Sequence, residues 1–219
     1  MENTQSTECN KKFFICILSH KKSNFRDSQM EKLIRYNNDN IIFYYFIGDP
    51  DQEEEWIIDS EKKIIRIKCA DNYESLPMKT YRSLEYAFKS HFKEIEGVFK
   101  TDDDIDLNLD VLYKNLCENS ELEYFGNPVI VRNEYMSSWH FGKCEDVNIN
   151  STPQQVPVSH YCSGGGYYIN KRNLHRILEM KEVFTSSIFE DVCTGIALNS
   201  IGIYPDNGID IRNMGCVWE

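Results

Sequence analysis

Gly97-Val98-Phe99-Lys100-Thr101-Asp102-Asp103-Asp104-Ile105 runs from an apolar segment directly into three consecutive carboxylates. The first half predicts a buried strand, and the second places the carboxylates where that strand runs out. Like charges this close repel and raise one another's pKa unless a cation or hydrogen-bond donors compensate. A hard divalent cation offsets that cost, and a diphosphate can complete its coordination shell. The plain alternative is an acidic turn between a strand and the next helix. The flanking sequence decides between the two.

Upstream, Phe13-Phe14-Ile15-Cys16-Ile17-Leu18 is a continuous apolar run ending at Ser19-His20, the pattern of a strand buried on both faces. Asp27 or Ser28 can cap a helix carrying Met30, Leu33 and Ile34. Ile41 to Ile47 predicts a second buried strand, stopped by Gly48-Asp49-Pro50. Asp51 to Glu55 reads as a solvated loop, and Ile64-Ile65-Arg66-Ile67 as a third strand. Residues 77–92 predict a helix with Tyr81, Leu84, Phe88 and Phe92 on one face and Pro77 in the first turn. Leu109, Leu112, Tyr113 and Leu116 mark another helix. This alternation predicts an α/β fold whose central sheet is mostly parallel and flanked by helices. Ligands bind such sheets outside the C-terminal strand ends. Ser19-His20 and Asp102–Asp104 both fall at such ends, which favours a site over a simple turn.

The second half is less regular. Glu123 to Val131 is strand-rich, and residues 132–160 form a long polar connection with Trp139, Pro153 and Pro157. Connections this long are functional or disordered. Tyr161-Cys162-Ser163-Gly164-Gly165-Gly166-Tyr167-Tyr168-Ile169 is a glycine cluster running into a short strand. Asn170 can cap a helix bearing Leu174, Ile177 and Leu178, and Phe189-Glu190-Asp191-Val192 opens a last helix. The expected organisation is a disordered lead-in over 1–12 and a single domain over 13–219. Within it lie a donor half over about 13–120 and an acceptor half over about 121–219.

Composition narrows the function classes. With 41% apolar and 13% aromatic residues the chain is globular. A net charge of −11 argues against a nucleic-acid partner. The eight cysteines include no Cys-x-x-Cys pair, so no zinc site is expected. The N-terminus is polar, and Phe13–Leu18 is too short for a signal or membrane segment. The expectation is a soluble, cytoplasmic protein without a membrane span, its cysteines mostly reduced.

Four segments occur in order: the D-x-Y-x-x-L-x-x-K-T pattern of Asp71 to Thr80, then Lys100-Thr101-Asp102-Asp103-Asp104, then Tyr161-Cys162-Ser163-Gly164-Gly165-Gly166-Tyr167, then Glu190-Asp191-Val192-x-x-Gly195. Together they resemble the β-1,3-galactosyltransferase family (glycosyltransferase family 31, which includes the Fringe-type enzymes), from about Phe13 to the last helix. The resemblance implies a GT-A-type fold. It also implies metal-dependent, inverting transfer of a sugar from a nucleotide-sugar, usually UDP-linked, to a glycan hydroxyl through a β-1,3 linkage. By similarity Asp104 holds Mn²⁺ or Mg²⁺ together with Asp102, Asp102 also contacts the ribose or uracil side, and Asp103 supports both. Ser19 and Arg26 match the family's first-strand and following-loop positions. Lys79 is the favoured cation for the diphosphate. Gly164, Gly165 and Gly166 let the backbone approach the donor. Asp191 matches the family's candidate base, which deprotonates the acceptor hydroxyl, and Glu190 binds acceptor or orients Asp191. His140, His160 and Trp139 are further acceptor-side candidates.

The sequence also departs from the family. The tryptophan that usually follows the first strand is missing around Met30. Many relatives have a histidine metal ligand downstream of the Glu-Asp-Val segment, whereas the last histidine here is His175. Residues 203–219 offer Asp206, Asn207, Asp210 and Asn213 instead. A short chain lacking the family's anchor and stem fits a minimal catalytic domain of a microbe or virus. The alternative function is a non-catalytic nucleotide- or carbohydrate-binding domain that kept the fold. A metal-dependent phosphohydrolase would explain the carboxylates but not the glycine and Glu-Asp-Val segments.

Overall fold

Lys12–Leu18 forms the first strand, β1, and its side chains divide by parity. Phe13, Ile15 and Ile17 enter one hydrophobic core, while Phe14, Cys16 and Leu18 enter another. Successive residues of a strand point to opposite faces, so an unbroken apolar run requires a sheet covered on both sides. The computed structural model, which describes residues 9–36, 38–206 and 209–218, has that arrangement. After β1 come α1 (Arg26–Leu33), β2 (Ile41–Gly48), β3 (Trp56–Asp59), β4 (Ile64–Ile67), α2 (Leu76–His91), β5 (Ile95–Asp102), β6 (Ile105–Leu107) and α3 (Leu109–Asn119). The second half contributes β7 (Tyr124–Val131), β8 (Tyr135–Ser137), α4 (Val147–Ser151), β9 (Gln154–Val156), β10 (Ser159–Asn170), α5 (Lys171–Leu178), α6 (Glu190–Asn199) and β11 (Cys216–Trp218).

The main sheet has seven strands in the order β3-β4-β2-β1-β5-β10-β7. The expectation of a mostly parallel sheet needs correction, because the sheet is mixed. β4, β2, β1 and β5 are mutually parallel, but β3, β10 and β7 enter through antiparallel pairings. The short link between β3 and β4 can only make an antiparallel pair, since a parallel return needs a dozen residues or more. β3 itself was hidden in the sequence behind the acidic Asp51–Glu55 stretch. The parallel centre still aligns the C-terminal ends of β1 and β5, in register from Phe13 opposite Gly97 to Leu18 opposite Asp102. Ser19 and the carboxylate run therefore emerge side by side.

Helix α2 packs over one face, with Leu84 and Ala87 fully buried there, and α3 covers the other through Leu112 and Leu116. Residues 132–160 are ordered by the β8–β9 pair and by α4. A third, smaller core of Val131, Val156, Tyr161, Phe189 and Val192 lies beneath that connection.

Of the expected lead-in, residues 1–8 lie outside the described residues, and Lys12 already belongs to β1. Cys9 is disulfide-bonded to Cys117 of α3, and Lys11 reaches the Ser120 hydroxyl at 2.6 Å. The cysteines are mostly reduced, as expected, with this one bonded pair as the exception: Cys16, Cys69, Cys144, Cys162, Cys193 and Cys216 are free thiols. The chain entering β1 passes beside α3, which brings together two cysteines 108 positions apart. Among the described residues no helix is long and apolar enough to cross a membrane.

Candidate active site

The C-terminal ends of β1, β2 and β5 are tied together by polar side chains. The Ser19 hydroxyl donates to Asp103 Oδ2 at 2.6 Å, and the Asp103 backbone N–H donates to the Leu18 carbonyl at 3.0 Å. Lys79, buried in α2, donates to the Ser19 carbonyl at 2.8 Å and pairs with Asp71 Oδ1 at 2.7 Å. Asp71 also accepts from the backbone N–H of Gly48 and of Lys21. The first and last charged groups of the D-x-Y-x-x-L-x-x-K-T pattern thus pin α2 to the strand ends, and the Lys79 ammonium is already paired. Arg26 donates to the His20 carbonyl at 2.8 Å and lines a separate, smaller cavity with Lys21, Asp49 and Arg66.

β5 delivers Asp102, and the turn after it delivers Asp103 and Asp104. Asp103 is buried against Ser19, Asp102 is half-buried, and Asp104 is exposed. Partial burial, and then repulsion from Asp102 and Asp103, hold the Asp104 carboxyl above its ordinary pKa.

A second cluster forms around Lys100, one strand position before Thr101 and fully buried. Its ammonium reaches Glu190 Oε1 at 2.6 Å, the Gly164 carbonyl at 2.7 Å and Asp102 Oδ1 at 2.8 Å. Burial alone would lower the Lys100 pKa, but Asp102 and Glu190 outweigh it and hold the group charged. Glu190 also accepts from the Tyr167 hydroxyl at 2.8 Å and from Thr80 at 3.4 Å. Burial pushes Glu190 up to about 7, against the pull of Lys100. This carboxylate is committed to the interior, beside Asp191.

The glycine cluster lies within β10, where the pairing with β7 slips between Cys162 and Tyr167. The bulged backbone turns its polar groups inward: Gly164 N–H donates to Asp191 Oδ2 at 3.1 Å, and Thr101 donates to the Gly165 carbonyl at 2.8 Å. A side chain at Gly164 would bring its Cβ to 2.7 Å from Glu190 Oε1, so glycine is required by the carboxylate behind it. Gly166 faces Phe99. Asp191 sits in the first turn of α6, its other oxygen accepting from Val192 N–H at 2.9 Å. Two backbone donors orient the carboxylate, and burial, the largest influence, raises its pKa. Gly195 lets α6 lie against β10, since a Cβ there would meet the His160 carbonyl at 2.7 Å.

Two cavities open on this edge. One, of about 760 Å³, is lined by Asp191, Gly164 and Gly165 and by the aromatic rings of Tyr135, Trp139 and Tyr161. The other, of about 460 Å³, is lined by Ser19, Asp71, Lys79 and Asp103. Tyr73, Leu76, Asp102, Asp104 and Lys143 line both, so the cavities meet at the carboxylates. Arg26 and Gly166 line neither of the two. His140 is fully buried, with Nε2 2.8 Å from the Ile149 carbonyl, and serves to hold α4 in place. His160 packs its ring against Tyr204.

Among the described residues no group of three or more His, Cys, Asp or Glu side chains could hold a metal ion. Asp210 is engaged by Arg212 at 2.6 Å, Asp206 bridges to β7 through its backbone, and neither lines the two cavities. Asn207 lies outside the described residues. Exposed Asp104, with Asp102 beside it, nevertheless fits a hard cation that takes one or two carboxylates and completes its shell with phosphate oxygens and water.

The motifs contain Lys100 and Tyr73 but give neither a role, and Lys143 lies outside all of them. A lysine inside an apolar strand was the available signal for the first, because an ammonium is buried only when paired. Nothing local marks Lys143, which the connection brings back over the site.

Comparison with known proteins gives a consistent picture. The sequence model described as galactosyltransferase matches residues 20–208. UDP-GalNAc:beta-1,3-N-acetylgalactosaminyltransferase 1 of Mus musculus is 30% identical over 142 residues, which is 64% of this chain and 41% of that protein. Its Homo sapiens counterpart is 31% identical over the same shares. Beta-1,3-galactosyltransferase 5 of Mus musculus is 25% identical over 169 residues, 74% of this chain and 54% of that protein. The matched region thus spans about half the length of these relatives or less.

Proposed function

This chain belongs to the galactosyltransferase family, and from that premise we propose that it transfers a sugar from a nucleotide-sugar, UDP-linked, to a glycan hydroxyl with inversion, forming a β-1,3 linkage. The observation that carries the proposal is the shared wall: Asp102 and Asp104 line both cavities, and Asp191 opens into the larger one. The smaller cavity, built by Ser19, Asp71 and Asp103, takes the nucleotide, and the larger takes donor sugar and acceptor. The names of the relatives support the linkage and the UDP donor.

Asp191 acts as the base. Its carboxylate is oriented by Gly164 and Val192 N–H groups, and its raised pKa suits proton acceptance from a hydroxyl. Lys100 and Glu190 fix Asp191's neighbours, and Glu190 also lines the larger cavity. Mn²⁺ or Mg²⁺ held by Asp104 and Asp102 would supply charge compensation for the departing diphosphate. A panel of UDP-, GDP- and dTDP-sugars with Mn²⁺ tests the reading, since slow donor hydrolysis reveals the donor without an acceptor. The proposal expects UDP-sugar hydrolysis and its loss in Asp191→Asn with UDP affinity retained. Undiminished turnover by Asp191→Asn would remove Asp191 from the base role.

That no group of three or more metal-ligating side chains occurs among the described residues favours one other reading, a nucleotide- or carbohydrate-binding domain without turnover. UDP binding with no hydrolysis or transfer across the panel would establish it.

A further inference from the structure

Charge at the junction of the two cavities is unbalanced. Asp102 and Asp104 face both spaces, and a diphosphate seated there would add further negative charge. Two of the nearby cations are committed elsewhere, and a third reaches only one of the two cavities. Lys79 is paired with Asp71, Lys100 with Asp102 and Glu190, and Lys22 lines only the smaller cavity. Lys143 is different. It lines both cavities and makes no ion pair among the described residues. Its ammonium rests 4.0 Å from the Trp139 ring centroid and 5.6 Å from that of Tyr73. Such a perch is weak at an exposed site, and Trp139 is 71% exposed.

The segment carrying Lys143 is anchored on both flanks. Buried His140 fixes the preceding turn to the Ile149 carbonyl, and Gly142 N–H donates to Asn150 Oδ1 at 2.7 Å. On the other side the Asp146 N–H donates to Glu74 at 2.7 Å, beside Tyr73 on the smaller cavity. A flexible ammonium on an anchored turn, lining both cavities beside Asp104 and the Lys100-paired Asp102, is arranged to meet an anion arriving at the junction.

We propose that Lys143 is the diphosphate-binding cation of this site, and that it leaves the face of Trp139 when a metal-bound diphosphate occupies the junction. The proposal rests on the nucleotide-sugar reading only for the identity of the natural ligand. It assigns to the 132–160 connection a donor-binding role in addition to walling the larger cavity.

The test uses the full chain with two probes, UDP and inorganic pyrophosphate, each with Mn²⁺. Calorimetry gives Kd, and tryptophan fluorescence reports on Trp139, with Trp139→Phe identifying its share of the signal. Lys143→Ala is expected to weaken both probes by about tenfold or more and to abolish the Trp139 fluorescence change, with Lys143→Arg retaining most of the affinity. An unchanged melting temperature for Lys143→Ala separates lost binding from lost folding. Binding of both probes by Lys143→Ala within about twofold of the unsubstituted chain overturns the proposal and leaves the transferase reading intact. Pyrophosphate binding that depends on Lys143, without UDP binding, supports the anion site and overturns the nucleotide donor. Binding of neither probe overturns both.

Discussion

Lys100 Nζ lies 2.6 Å from Glu190 Oε1, and both groups are buried. The pair joins the strand that ends in the carboxylate run to the helix that carries Asp191. Because Lys100 also holds Asp102 and the Gly164 carbonyl, the two sides of the site share one buried charge. Removing it leaves carboxylates desolvated and unpaired. Lys100→Met is expected to destabilise the fold by about 3–5 kcal/mol, measured by urea denaturation. Adding Glu190→Gln should recover part of that loss, whereas independent, additive effects would contradict the coupling.

Glu190 also sets a pH dependence. Its folded pKa, about 7, lies above the ordinary value of 4.5, so the native state binds a proton that the unfolded chain has released. The associated stability is fully present below the ordinary value and is lost as pH rises through about 7. Asp191 and Asp104 are raised in the same direction. Denaturation midpoints followed across this window should fall with pH, and Glu190→Gln should flatten the curve. A midpoint rising with pH and indifferent to Glu190→Gln would refute the assignment.

Gly164→Ala tests the close approach of β10 to α6. The new Cβ would displace a carboxylate fixed by Lys100 and Tyr167, at a cost of about 1–3 kcal/mol in stability. Turnover should fall further than stability, because Gly164 N–H also orients Asp191. Equal activity at equal folded fraction would show that this orientation is unimportant.

Cys9 and Cys117 close a long loop, 108 positions apart in sequence. Bridges of this span typically contribute about 2–5 kcal/mol, largely by restricting the unfolded chain. Cys117→Ser or treatment with reductant should lower the melting temperature by a matching amount. No response to either would mean that the bridge contributes nothing in solution.

The parallel centre of the sheet was legible because β1 and β2 are apolar on both faces and β5 carries the apolar Val98-Phe99 step at its middle. The antiparallel part was legible only in part: Glu123 to Val131 read as strand-rich and became β7, but β3 and the full length of β10 did not show. β3 is only four residues long and follows an acidic loop, and β10 was masked by its own glycines. The placement of Asp102–Asp104 and Ser19 at strand ends could be read from the run lengths alone. Local sequence could not show that Lys79 would be spent on Asp71, that Glu190 would turn inward, or that Lys143 would return over Asp104. Each depends on contacts between segments far apart in the chain, which hydrophobic periodicity does not encode.

The central claim is that Asp104 and its neighbours bind the diphosphate of a nucleotide through a divalent cation. Calorimetric titration of UDP with and without Mn²⁺, on the unsubstituted chain and on Asp104→Ala, tests it most directly. The account predicts Mn²⁺-dependent UDP binding that Asp104→Ala weakens by about tenfold or more. UDP binding unchanged by Asp104→Ala, or no binding at all, would contradict it.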